Sequence, residues 1–253
     1  MEITPAVARP MFSNKALRQL IIPLILEQLL AMTVGLAAVV MISGVGEAAV
    51  SGVSLVDTVN ILIISILSAL CTGGAVVCAQ YIGRQEPENA RISARQLVYI
   101  TLIFSLAIGV VLLCAPDFFI RLIFGAVEPA VAESARTYLI FSAISIPFLA
   151  LYNSCAALFR AMGNSRVSLY VSVVMNVVNI SLNALLLYGF HFGVLGVSIA
   201  TATARLVAAG LIFYLIRSRN NPIYLRGLFP IRFQKNMVQS ILSIGVPNGL
   251  ENG

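Results

Sequence analysis

Two stretches of this chain run without a formal charge for longer than a soluble fold can use. Leu97–Ala115 is 19 residues long and Val167–Phe190 is 24. A predominantly apolar run of ~18 residues or more marks a helix that crosses a membrane, because ~20 residues rising ~1.5 Å each traverse a hydrocarbon core ~30 Å thick. Composition agrees with this reading. Soluble domains carry about 25% charged and roughly 45–50% apolar residues, whereas this chain has 10% charged, 59% apolar and a mean hydropathy of +0.96.

Apolar segments fall at 17–43, 53–82, 97–115, 134–159, 167–190 and 194–216, and a further one begins near Met237 and is cut at Gly253. The expected fold is therefore an all-α, polytopic membrane helix bundle of six transmembrane helices plus the start of a seventh. The connections are short except 83–96, 116–133 and 217–236, so successive helices should pack as antiparallel neighbours in one domain. The basic N-terminus superficially resembles a secretory signal. The run Leu20–Ser43 exceeds the roughly 7–15 residues of a signal core, however, and reads instead as the first span.

The excess positive charge of +6 is explained by topology. With the N-terminus inside, thirteen of the sixteen Lys and Arg residues fall in inside segments: Arg9 to Arg18, Arg84 to Arg95, Arg160 and Arg166, and Arg217 to Lys235. Outside segments hold only Arg121 and Arg136, and Arg205 lies within a span. This is the positive-inside asymmetry of a membrane protein, and it excludes a nucleic-acid partner. The chain is expected to be multi-pass with a cytoplasmic N-terminus, and its expected location is the plasma membrane.

Catalytic machinery has no foothold in the sequence. No nucleophile–histidine constellation, phosphate-binding glycine loop or metal-ligand spacing is present, so the chain is read as a non-enzyme without a cofactor. Cys71, Cys78, Cys114 and Cys155 fall in or beside apolar runs and read as small buried hydrophobes rather than a disulfide framework. His191 stands alone in a short turn.

What remains is polarity inside the spans, where an ionisable group costs roughly 2.5–3.5 kcal/mol at the bilayer centre and usually faces a bundle interior or a wet cavity. Glu27, Asp57 and Arg205 are the candidates. Each acid has a functional reading and a bland one as a cap or packing group, and Arg205 could serve as a structural partner of Asp57 or Glu27. The fifth span adds Ser172, Asn176, Asn179 and Asn183, spaced 4, 3 and 4, which places them within an arc of about 60° on one helix face. Such a stripe should avoid lipid. It forms either interhelical hydrogen bonds or the polar wall of a cavity for a cation or substrate. On the first span Glu27, Ala31, Val34 and Ala38 share a face, so the carboxylate overlooks small residues.

A weak repeat is also present. Pro23-Leu-Ile-Leu-Glu27 recurs as Pro247-Asn-Gly-Leu-Glu251 at an offset of 224 residues, one six-helix unit, and repeated bundles are common among transporters.

These motifs together resemble the multidrug and toxic compound extrusion (MATE) family, over nearly the whole chain. The residues that carry the likeness are Pro23 to Gln28, Ala79-Gln-Tyr-Ile-Gly83, Phe159-Arg-Ala-Met-Gly-Asn-Ser-Arg166, the run Asn176 to Asn183, and Gly193 to Thr201. The resemblance implies the N-terminal half of a twelve-helix exporter with two six-helix lobes around a central cavity, working by alternating access. Residues 1–236 would be the first lobe and 237–253 the truncated start of the second. It also implies exchange of Na+ or H+ for organic, often cationic, drugs or toxic compounds, with the missing lobe or a second copy of the chain as partner. One departure stands out: Gly35-Leu36-Ala37 is followed by Ala38, where the family commonly has an aspartate, and Asn183 stands where an acid can occur. Coupling must then draw on Glu27, Asp57 or the other lobe. Two alternatives share this architecture, namely a truncated fragment that inserts but transports nothing, and a relative that flips lipid-linked precursors.

Overall fold

The computed structural model describes residues 14–225 and 233–252; of the residues used above for topology, Arg9, Arg226 and Arg232 lie outside these. The described residues form helices α1 (Asn14–Ser43), α2 (Glu47–Gly83), α3 (Pro87–Cys114), α4 (Pro116–Phe124), α5 (Pro129–Ala161), α6 (Ser165–Ala184), α7 (Gly193–Ile216) and α8 (Lys235–Asn252). Six of them, all but α4 and α8, are long and apolar enough to cross a membrane. Connections α2–α3 and α5–α6, together with the end of α7, gather at an arginine-rich end of the bundle. The α1–α2, α3–α5 and α6–α7 connections lie at the opposite, arginine-poor end.

The helices overrun the apolar segments, because a charged turn can continue a helix beyond hydrocarbon. The expected long connection 83–96 shrinks to Arg84-Gln85-Glu86, with Gln85 at φ 60 and α3 starting at Pro87. Proline suits that first position, since its missing N–H has no intrahelical partner there. The first turns of α3 are tied down by Arg91, which pairs with Glu88 and lies 4.2 Å from the centre of the Tyr224 ring. The connection 116–133 likewise contains the short helix α4. Its Phe118 and Leu122 are exposed while Ile120 is buried, the pattern of a helix lying along a boundary. The fifth apolar segment, 167–190, is not one α-helix. After Ala184 the chain takes a single π-turn over Leu185–Gly189, then turns through His191 and Gly193, both at positive φ.

At the centre is α5, which packs on α2, α3 and α7, while α1 is peripheral and packs chiefly on α6. Two buried clusters run along the interior. One, around Phe159, Ile212 and Leu97, sits toward the arginine-rich end. The other, around Val56, Tyr138 and Ile146, sits toward the opposite end. The outward faces are apolar too, with Met32 and Leu36 of α1 and Ile103 and Leu106 of α3 all more than half exposed. A water-facing surface would not sustain such a band; lipid tails do. The four cysteines are free.

Close packing without a water-driven collapse relies on small residues. A Cβ at Gly52 would sit 2.6 Å from Ser134 Cβ and 2.8 Å from the Ala135 nitrogen of α5, so the α2–α5 approach depends on glycine. Gly210 has nothing within 4 Å of such a carbon. Gly52→Val is therefore expected to destabilise the bundle by at least ~1–3 kcal/mol, the usual cost of overpacking, and to lower its melting temperature in detergent. Gly210→Ala should leave that temperature level or slightly raised. Equal melting of the two variants would show that the α2–α5 seam does not need close contact.

Candidate functional site

The polar groups inside the spans collect at two depths. The first group surrounds a cavity of about 210 Å³ formed by five of the six spans. Helix α1 contributes Val34 and Ala38, α2 contributes Asp57, and α5 contributes Tyr138. Asn176 and Asn179 come from α6, and Thr201 and Arg205 from α7. Asp57 is ten residues into α2 and Arg205 twelve residues into α7. At ~1.5 Å per residue that sets them about 15 and 18 Å from the arginine-poor ends of their helices. Both are well inside the span.

Asp57 is held through one of its oxygens. Tyr138 Oη donates to Oδ1 at 3.0 Å, and Asn60 Nδ2 donates to the same Oδ1 at 3.3 Å while lying 3.3 Å from Ser142 Oγ. The other oxygen, Oδ2, takes no hydrogen bond from the described residues. Arg205 donates from Nη1 to Ser145 Oγ at 2.7 Å. Ion pairs within 4.0 Å among the described residues are Arg91–Glu88, Arg136–Asp117 and Arg160–Glu27. Asp57 and Arg205 share a cavity without being such a pair.

The α6 stripe supplies both interhelical bonding and cavity wall. Asn176 Nδ2 donates to Ser172 Oγ at 3.4 Å, Asn179 Nδ2 to Thr201 Oγ1 of α7 at 3.4 Å, and Asn183 Nδ2 to Asn179 Oδ1 at 3.0 Å. Asn176 and Asn179 line the cavity; Asn183, buried one turn further on, keeps an Oδ1 without a donor among the described residues.

Glu27 is elsewhere. Tyr152 Oη donates to its Oε1 at 3.0 Å and Ser168 Oγ to its Oε2 at 3.3 Å, and Arg160 Nη1 lies 4.0 Å from Oε2. This second group ties α1 to the ends of α5 and α6 near the arginine-rich end. The sequence offered Arg205 as a partner for Glu27, but the cation beside it is Arg160, which the charge count had placed in a connection. Of the α1 face expected to accompany Glu27, Val34 and Ala38 reach the cavity and the carboxylate does not.

Residues that the sequence did not single out complete both groups: Tyr138, Ser142, Ser145 and Tyr152 of α5. They are spaced 4, 3 and 7, within about 80° of arc on one helix face. The same period that exposed the α6 stripe would have found them.

Six spans with charged and amide side chains around an internal cavity define a polytopic membrane helix bundle. A family model described as MatE matches residues 23–185, and the chain belongs to that family, whose curated members include multidrug exporters. It is 29% identical over 246 residues to the probable multidrug resistance protein NorM of Thermotoga maritima, covering 94% of this chain and 52% of that protein. It is 24% identical to the multidrug export protein MepA of Staphylococcus haemolyticus, covering 92% of this chain and 51% of that one. Among solved structures, a MOP superfamily transporter from Pyrococcus furiosus superposes with a TM-score of 0.86 at 25% identity, over 94% of this chain and 52% of that chain. A crystal structure of MATE in complex with MaL6 gives 0.87 at 25% identity, with coverage of 94% and 52%. The chain spans about half the length of the relatives it matches.

Proposed function

We propose that residues 1–236 form the N-terminal lobe of a secondary antiporter that exports organic, often cationic, compounds in exchange for Na+ or H+. Residues 237–253 then begin a second lobe, continuous with the first or supplied by another copy of the chain. The observation that supports this reading is the mid-depth cavity, where the carboxylate of Asp57 keeps one oxygen free beside a wall of amides. Asp57 receives the coupling ion or the ammonium of the substrate. Asn176 and Asn179 orient what binds there, Asn183 backs them, and Arg205 balances the acid when the cavity is empty of cations. Glu27 serves as a second acid whose competitor for a cation is Arg160. Under the positive-inside rule the arginine-rich end and the N-terminus face the cytosol of a plasma membrane. Alternating access would open the cavity to one side and then the other.

The test is efflux of a fluorescent cationic dye from vesicles holding this chain, alone and joined to a second six-helix lobe. An imposed Na+ or proton gradient should drive the dye uphill in the joined form. Dye movement indifferent to both gradients in that form overturns the antiporter reading.

A further inference from the structure

From the free oxygen of Asp57 and the spare donors of Arg205 in one cavity, we infer that this lobe selects zwitterionic compounds over simple cations. The inference rests on the cavity being the ligand-facing site proposed above, and it narrows the substrate class.

Asp57 spends Oδ1 on Tyr138 and Asn60 and leaves Oδ2 available as an acceptor. Arg205 spends one N–H on Ser145; a guanidinium carries five, and the side chain lines the cavity, so donors are left for a ligand. The two charges are not joined within 4.0 Å, and neither cancels the other by contact. A carboxylate with one oxygen to spare and a guanidinium with spare donors, facing one small space, make a dipolar receptor. A bare cation bound at Asp57 also meets the repulsion of Arg205 across the cavity, so part of its attraction is lost. A bare anion meets the reverse. A ligand carrying an ammonium and a carboxylate satisfies both groups at once, and the carboxylate can take two parallel hydrogen bonds from the guanidinium. The volume, about 210 Å³, is below the usual range for a drug-sized ligand and suits a one-ring compound or one end of a larger one. The remaining wall fits such a ligand as well. Val34 and Ala38 offer an apolar side for a ring, while Asn176 and Asn179 offer amides.

The experiment is equilibrium binding at about pH 6 to the purified chain in nanodiscs, with no gradient present, using three matched probes: L-phenylalanine, its methyl ester, which is protonated at that pH, as the cation, and 3-phenylpropanoate as the anion. The zwitterion is expected to bind about tenfold or more tightly than either of the others. Asp57→Asn should weaken phenylalanine and the ester while tightening 3-phenylpropanoate, and Arg205→Gln should weaken phenylalanine and 3-phenylpropanoate while tightening the ester. Equal or tighter binding of the ester than of phenylalanine to the unaltered chain overturns the inference, and that comparison needs no variant to fold. Zwitterion-selective binding with no gradient-driven movement of labelled phenylalanine by the joined two-lobe form would instead remove the antiporter reading and leave this one standing.

Discussion

Arg160→Met is expected to destabilise the bundle far more than Glu27→Gln, although the two residues face each other. Glu27 is mostly buried and Arg160 about one-third exposed, with side-chain exposures of 18% and 33%. Removing the arginine strands a carboxylate in a low dielectric with only the hydroxyls of Tyr152 and Ser168 to solvate it. For fully buried pairs such a loss costs ~3–5 kcal/mol. The partial exposure of Arg160 means that water already shares the work, so about 2 kcal/mol is the expected cost. For a chain of this size that corresponds to a fall of roughly 4–8 °C in melting temperature. Glu27→Gln keeps acceptor and donor atoms for both hydroxyls and leaves a cation that can turn toward solvent, and should cost under ~1 kcal/mol. The double variant should melt within about 2 °C of Glu27→Gln alone. Melting curves in detergent decide it. Equal losses from the two single variants, without recovery in the double, would mean that Glu27 is not held as a charged group.

The same pair shows where a one-dimensional reading stops. Span number and the polar stripe of α6 were legible because a bilayer imposes its thickness on apolar runs and a helix imposes its period on polar ones. The positions of Glu27 and Asp57 inside spans were legible too. Their separation into different clusters was not, since that depends on α1 packing along α6 rather than across α2, a matter of helix order in space. Arg160 shows the limit most clearly. Counted as a loop charge by its place in the sequence, it is the last basic residue of α5, and a long flexible stem lets its head turn back to Glu27. The extension of α3 back to Pro87 escaped because hydropathy marks where hydrocarbon ends, not where a helix does. The α5 stripe of Tyr138, Ser142, Ser145 and Tyr152 escaped for a different reason: hydroxyls weigh little on a hydropathy scale, whereas three asparagines stand out.

Asp57→Asn is expected to reduce gradient-driven efflux about 100-fold while leaving the fold intact. The amide is close to isosteric, can still accept from Tyr138 at 3.0 Å, and removes one charge from a cavity that Arg205 continues to line. The cavity thus changes from balanced to cationic. Losing one partner of a desolvated charge interaction commonly costs ~2–5 kcal/mol, and each ~1.4 kcal/mol is tenfold, so a 100-fold loss lies in the lower part of that range. The measurement is initial rate of dye export by the joined two-lobe form in vesicles, at matched protein incorporation. A second substitution identifies what the cavity requires. Ala38 lines it from α1, as Asn179 does from α6, at the position where the family resemblance places an aspartate. Ala38→Asp introduced with Asp57→Asn returns a carboxylate to the same space from another helix. If the site needs a negative charge, the double variant should regain at least a tenth of the original rate. If it needs the bond geometry of α2, the double variant should stay as slow as Asp57→Asn. Full activity of Asp57→Asn alone would instead reduce Asp57 to a counter-charge for Arg205, and the coupling group would have to lie in the other lobe.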